Sequence, residues 1–397
     1  MPKDDINYSF TENGIVYDFY DVFVPAENFR QPSLLTWGLN SSGQLGDNTI
    51  TARSTPVTTF AGGTTWKSLC QSGDRPDHIA AIKTDGSLWI WGNNDRAHLG
   101  NNTSAYRSTP VTTFAGGNNW KQVACSGYNT AAIKTDGTLW VWGSNIVAQL
   151  GINSGVNFNQ QTPVTTFSGG NNWKSVACGR THTAAIKTDG SLWVWGSNNS
   201  GQLGINATTN RSTPVTTFAG ETNWKSVACG ENYTSAIKTD GTLWTWGSNA
   251  NGQLGINNTD NRSTPVTTFS GGTNWKQVNC GRVHTAAIKT DGTIWNWGLN
   301  SDGQLGTGDG TQRNTPVIPN PGGTNWKQVS AGNNLTAAVK TDGTLWTWGG
   351  NANGQLGINI GGGNRLSAVT TFAGGNNWKQ VSGGGSHTSA IKYSPDP

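Results

Sequence analysis

The chain has 397 residues, room for two or three ordinary domains or one large closed architecture. Charged residues are only 12%, while Gly (55) and Trp (20) are abundant, which excludes a disordered charged polymer and predicts aromatic rings packed close to bare backbone. The net charge of +4 is dilute enough to read as solvated surface and disfavours nucleic acid as partner; no basic-then-apolar leader opens the chain and no run approaches the ~18 apolar residues of a membrane span, so cytoplasmic synthesis without a membrane anchor is expected.

Residues 1–33 carry no repeat. "INYSF" and "IVYDFYDVFV" flank "TENG", two strand-like runs around an Asn-Gly turn. Asp4, Asp5, Glu12, Asp18, Asp21 and Glu27 outnumber Lys3 and Arg30. An aromatic hairpin of this kind either covers an end of the body or adds a strand to another chain's sheet. The expectation is the second: an N-terminal docking arm with Tyr8, Phe10, Tyr17, Phe19, Tyr20 and Phe23 as its contacts.

From residue 34 to 397 one unit recurs. Trp-Gly pairs begin at Trp37, Trp91, Trp142, Trp195, Trp246, Trp297 and Trp348, in steps of 51 to 54 residues. A second series, Trp66, Trp120, Trp173, Trp224, Trp275, Trp326 and Trp378, precedes Lys each time, and a third stands two residues before a Trp-Gly. Together they account for all 20 tryptophans, so each is first a core position. Within a unit "NWKQVAC" reads as a short strand, "TAAIKTDGTLWTWG" as two strands joined by an Asp-Gly turn, and "TPVTTF" as a fourth. No stretch has helical periodicity. The fold class predicted is all-β: a seven-bladed β-propeller, small sheets packed face to face around an axis.

The last unit ends at "HTSAIKYSPDP" without its Trp-Gly strand, and "LLTWG" (34–38) arrives with no strand before it. The N-terminal strand should therefore complete the C-terminal blade and hide two sheet edges. Cys125, Cys178, Cys229 and Cys280 each fall five residues after a Trp of the second series. They belong to different units, which argues for small core residues over disulfides or a metal cluster.

Chemistry is scarce. His182, His284 and His387, with His78, share a place that Asn129, Tyr233 and Leu335 fill in other units, which suits a packed ring better than a ligand or general base. Asp85, Asp136, Asp189, Asp240, Asp291 and Asp342 are turn residues before Gly. No nucleophile setting, phosphate loop or Cys-x-x-Cys pair appears. The expectation is no enzyme, no cofactor and no metal.

Departures from the repeat are better candidates for binding. The Gly of the loop turn becomes Ala97 and Ala148 in consecutive units, and alanine disfavours positive φ, so those two turns are expected to take another shape. Around them lie Asp95, Arg96, His98 and Tyr106, then Ile146, Val147 and Phe158, a candidate patch on adjacent blades. Arg53, Arg107, Arg211, Arg262, Arg313 and Arg365 recur before the "STPV" strand, either a basic ring on one face or braces for their own loops.

Trp-Gly, Gln-Leu-Gly (44–46, 202–204, 253–255), Cys-Gly-x-x-His-Thr (178–183, 280–285) and Asp-Gly, repeated in register over about 34–394, resemble the repeats of the regulator of chromosome condensation 1 family. The resemblance implies a seven-bladed propeller in a family whose members include exchange factors, chromatin binders and an enzyme inhibitor. The Asn/Thr/Gly-rich regularity is similar to phage and bacterial members. That similarity implies a non-enzymatic binding or structural disc with protein partners in a larger assembly, virion-associated, mediating attachment. Two alternatives stand beside it: a guanine-nucleotide exchange or chromatin-binding factor, and a lectin-like or enzyme-inhibiting disc with a glycan or cell-surface ligand. Against exchange stand the absence of a wedge insertion and the acidic N-terminal segment.

Overall fold

The computed structural model describes residues 9–12, 15–18, 32–60, 65–72, 77–218 and 220–393, with the backbone alone for 9–12, 15–18 and 71–72. Ser9–Glu12 and Ile15–Asp18 pair antiparallel, from Ser9↔Asp18 to Glu12↔Ile15, the hairpin expected of the arm. Tyr8, Phe19, Tyr20 and Phe23, and the side chains of Phe10 and Tyr17, lie outside the described residues.

The remaining strands form seven sheets. In the third blade the order from axis to rim is Trp173–Cys178, His182–Lys187, Leu192–Gly196 and Arg211–Thr216. The innermost strands of blades 1 to 7 are Trp66–Leu69, Trp120–Cys125, Trp173–Cys178, Trp224–Cys229, Trp275–Cys280, Trp326–Ala331 and Trp378–Gly383. Blade 7 combines both chain ends: Pro32–Gly38 pairs with His387–Tyr393 from Pro32↔Tyr393 to Gly38↔His387. Blade pairing therefore begins at Pro32, two residues before the propeller start expected.

Because strands alternate in direction, each face collects one kind of connection. The Asp-Gly turns, the Trp-Lys starts of the innermost strands and the links between blades share one face, here the turn face. The Gly-x-x-His turns and the long loops containing Gln-Leu-Gly share the other, the loop face.

Three links repeat between blades. The bare Cα of each Gln-Leu-Gly glycine lies against the next blade's Trp ring; a Cβ on Gly204 would meet Trp246 Nε1 at 2.8 Å. The same Trp Nε1 donates to the backbone oxygen of the preceding glutamine, as Trp246 does to Gln202 O at 2.9 Å, and Thr234 Oγ1 donates to that oxygen too, also at 2.9 Å. Nearer the rim, left-handed Asn48, Asn102, Asn153, Asn206, Asn257 and Asn359 each donate a backbone N–H to the next blade's outer strand, with Gly308 in the seventh place. Asparagine tolerates that conformation better than other side chains. The last of these bonds, Asn359 N to Ser54 O at 3.0 Å, closes the ring.

Candidate binding faces

The residues that look catalytic in sequence are structural. His182 Nε2 bonds Thr234 Oγ1 at 2.9 Å and His284 Nε2 bonds Thr336 Oγ1 at 3.0 Å, each reaching into the next blade. The threonine hydroxyl is already committed as donor to a glutamine carbonyl, so the imidazole Nε2–H donates to it. Burial holds His182 and His284 at about 3 and His387 at about 4. For His78 burial acts first, and the nearby His98 and His387 add to it. These rings are neutral.

The six Asp-Gly turns are alike. Thr138 donates from its backbone N at 2.9 Å and from Oγ1 at 2.7 Å to Asp136 Oδ1, and Trp140 Nε1 donates to that Oγ1 at 2.9 Å. Hydrogen bonds from the residue two further on lower the pKa of all six carboxyls. Among the described residues no group of three or more His, Cys, Asp or Glu could hold a metal ion. Nor is any helix there long and apolar enough to cross a membrane.

The loop face gathers most of the divergent residues. Arg96 stands 5.7 Å over the Tyr128 ring and Arg180 5.4 Å from it, within cation–π range. Arg180 Nη2 also donates to Tyr128 OH at 3.1 Å, which raises the guanidinium pKa further. Arg180 then pairs with Glu231, and Arg282 Nε meets the other oxygen of Glu231 at 3.0 Å. This crest runs from the long loop of blade 1 across the consecutive Gly-x-x-His turns of blades 2 to 5. Asn333 and Gly385 hold the corresponding places in blades 6 and 7, so the repeat does not require these charges.

Of the patch expected from sequence, Asp95 and Tyr106 are exposed, and Arg96, Ile146, Val147 and Phe158 are partly exposed. His98 is a correction: it is 2% exposed, stacks on His78 with ring centroids 5.0 Å apart, and bonds Gly127 O at 3.0 Å. It is held near pKa 4, chiefly by burial. The turns at Ala97 (φ 63) and Ala148 (φ 66) are a second correction, because both keep the left-handed shape of their glycine counterparts. Ala97 N bonds Asn94 O at 3.0 Å, as Gly43 N bonds Asn40 O at 2.9 Å; the surrounding loop imposes the turn.

The recurrent arginines mostly face their own loops. Arg53 pairs with Asp47 at 3.2 Å, Arg262 with Asp260 at 3.8 Å and Arg313 with Asp309 at 2.7 Å. Arg211 donates to Thr209 Oγ1 and Arg365 to Gly363 O. Arg107 sits half-buried at the equivalent strand start.

A basic ring lies elsewhere. Lys67, Lys121, Lys174, Lys225, Lys276, Lys327 and Lys379 each follow the first Trp of an innermost strand, and all but half-buried Lys379 are exposed. They encircle the axial opening of the turn face. Farther out on the same face stand Phe60, Phe114, Phe167, Phe218, Phe269 and Phe372, each 61–65% exposed. Sequence shows Trp-Lys as periodic as the arginines; only the order of strands in the sheet places it on the axis.

Comparison with known proteins agrees with this architecture. A family model described as "RCC1-like domain" matches residues 33–390. The ultraviolet-B receptor UVR8 of Arabidopsis thaliana is 33% identical over 332 residues, 81% of this chain and 74% of that protein. RUG3, a mitochondrial RCC1 domain-containing protein of the same plant, is 28% identical over 360 residues, 82% of this chain and 79% of that protein. The crystal structure of Prp20p from Saccharomyces cerevisiae, described with its binding to Gsp1p and histones, superposes with a TM-score of 0.77 at 19% identity, covering 95% of this chain and 97% of that one.

Proposed function

The chain belongs to the RCC1-like domain family, and from that premise we propose that it is a non-catalytic recognition disc which holds a protein partner on its loop face. One observation carries the reading: Arg96 on a long loop and Tyr128, Arg180, Glu231 and Arg282 on consecutive turns form one crest where the repeat itself asks for none of them. Arginine and tyrosine on rigid turns are the side chains that dominate protein interfaces. Partly exposed Ile146, Val147 and Phe158 on blade 2 add apolar area beside it. The test is affinity capture from source cells after nuclease treatment, comparing wild type with an R96A/Y128A/R180A variant. Loss of a specific protein set with the variant is expected; an unchanged set would overturn the proposal.

A narrower reading, nucleotide exchange on a small GTPase or chromatin binding, rests on membership of the family; Prp20p, which is described as binding Gsp1p and histones, shares the fold. At 19% identity that match speaks for the fold alone. Accelerated nucleotide release across a panel of small GTPases would support exchange, and no acceleration would remove it. The relatives named above are eukaryotic, and nothing in the comparisons supports a phage-type member, a virion component, an adhesion role or a glycan ligand. The arm, residues 1–31, is retained as a docking segment.

A further inference from the structure

The innermost strand of a propeller blade has no strand on its axial side, so its backbone groups there need other partners. In this chain a glutamine of the preceding blade supplies them. Gln328 accepts from Val381 N and donates to Val381 O, both at 2.8 Å. Gln277 does the same for Val329 at 3.2 and 3.0 Å, Gln122 for Val176 at 3.3 and 3.2 Å, and Gln380 for Leu69 at 3.1 and 3.5 Å. Blades 7, 6, 3 and 1 are clamped in this way. Blade 2 has Ser68 in place of the glutamine, and there the chain itself steps in: Gln71 and Ser72 pair in parallel with Ala124 and Cys125.

Blades 4 and 5 have neither device. Ser175 and Ser226 stand where the glutamine would be, and their buried hydroxyls have no partner. The strand register is that of the clamped blades, Val227↔Ala236 and Val278↔Ala287 beside Val329↔Ala338, so the N–H and C=O of Val227 and Val278 face the axis. The gap is visible: Val227 and Val278 are each 8% exposed, against 0% for Val329 and 1% for Val381. A cavity of about 160 Å³ lies along the axis there, lined by Ser226, Val227, Ala228, Val278 and Asn279, with Lys276 at its turn-face end. The lysine ring surrounds that opening.

We propose that this axial cavity is a binding site for an extended acidic, glutamine-containing segment of a protein partner, a carboxamide side chain taking the place of a missing clamp while its carboxylates meet the lysine ring. A carboxamide places an N–H donor beside an oxygen acceptor, matching the paired C=O and N–H of Val227 or Val278. A phosphate offers acceptors alone and would leave the carbonyls unmatched. Base edges also pair donors with acceptors, but the group that fits this strand edge in the clamped blades is a glutamine carboxamide, so a peptide is the occupant and a nucleic acid the competing outcome of the test. The site lies on the axis and turn face, so it does not depend on the loop-face reading.

The test uses the full chain, a fluorescein-labelled Glu/Gln-rich peptide, a Lys/Gln-rich peptide of equal length and a single-stranded oligonucleotide, followed by anisotropy. The Glu/Gln peptide is expected to bind alone among the three, more weakly as salt rises. An S175Q/S226Q variant, which completes the clamps, is expected to weaken it at least ~10-fold, the loss of a desolvated hydrogen-bonded pair, while melting no lower than wild type. Equal binding by wild type and a folded S175Q/S226Q variant, tighter binding of the oligonucleotide, or no binding of the acidic peptide would each overturn the proposal. The loop-face variant R96A/Y128A/R180A should bind the peptide like wild type, which separates failure of this site from failure of the other.

Discussion

Each of the five histidines sits where no water can stabilise a proton, none more than 2% exposed. Their folded pKa values lie below the ordinary value of about 6.5, near 4 for His98 and His387 and near 3 for His182 and His284. The unfolded chain thus takes up protons first as pH falls, so stability is full above about 6.5 and declines until the folded values are reached. The urea midpoint should fall between pH 7 and pH 5, each histidine costing ~1.4 kcal/mol per pH unit below 6.5; a flat midpoint would contradict this account. The sequence makes these rings legible as structural, since Asn129, Tyr233 and Leu335 share their place, but not that they bond a threonine in the next blade. A different residue-scale pattern was wholly hidden. Lys134 lies 4.8 Å over the Trp120 ring and 4.6 Å over the Trp140 ring, and the same arrangement recurs in the first six blades. In blade 7 Leu35 replaces one Trp, and Lys392 covers Trp378 alone.

At the scale of elements, strands and Asp-Gly turns were readable because a fixed turn chemistry separates short apolar runs in every unit. Their order from axis to rim was not. Periodicity treats Trp-Lys and Arg-Ser-Thr-Pro alike, whereas the sheet sets the lysines around the axis and the arginines among their loops. The Ala97 and Ala148 turns show the limit of local preference: a conformational cost of ~1–2 kcal/mol for a left-handed alanine is outweighed by the packed loop around it. Gly204 and Gly271 both have positive φ, 64 and 51, but only Gly204 faces a ring, while a Cβ on Gly271 meets nothing within 4 Å. Gly271→Ala should therefore cost about 1 kcal/mol from backbone strain. Gly204→Ala should cost about 3 kcal/mol, because overpacking against Trp246 is added. Chemical denaturation of the two variants checks the difference, and equal losses would mean that the indole yields.

For the whole molecule, the overlap of two chain ends in one blade decides which truncations are tolerated. Removing residues 1–31 leaves every propeller strand in place and should leave the melting temperature within a few degrees of wild type. Removing 1–38 also takes Trp37, whose ring meets Trp378 edge-on at 6.2 Å, and uncovers the edge of His387–Tyr393. Loss of a cooperative melt and association of the opened sheet are expected by circular dichroism and light scattering. The same scattering measurement tests the arm: an assembly formed by the full chain and absent after removal of 1–31 would support docking, and identical masses would count against self-docking. Closure itself was legible, since the last unit lacks a strand and the first supplies one.

That overlap also has a meaning in time. Residues 32–38 are synthesised six whole blades before their partner, 387–393, so the first strand of the ring must wait through the making of those blades before its edge is covered. Until then the ring is an open arc with a raw strand at residues 32–38, and a chain interrupted before residue 387 remains one. Closure is thus coupled to synthesis through residue 393: a closed disc certifies that all seven blades have been made.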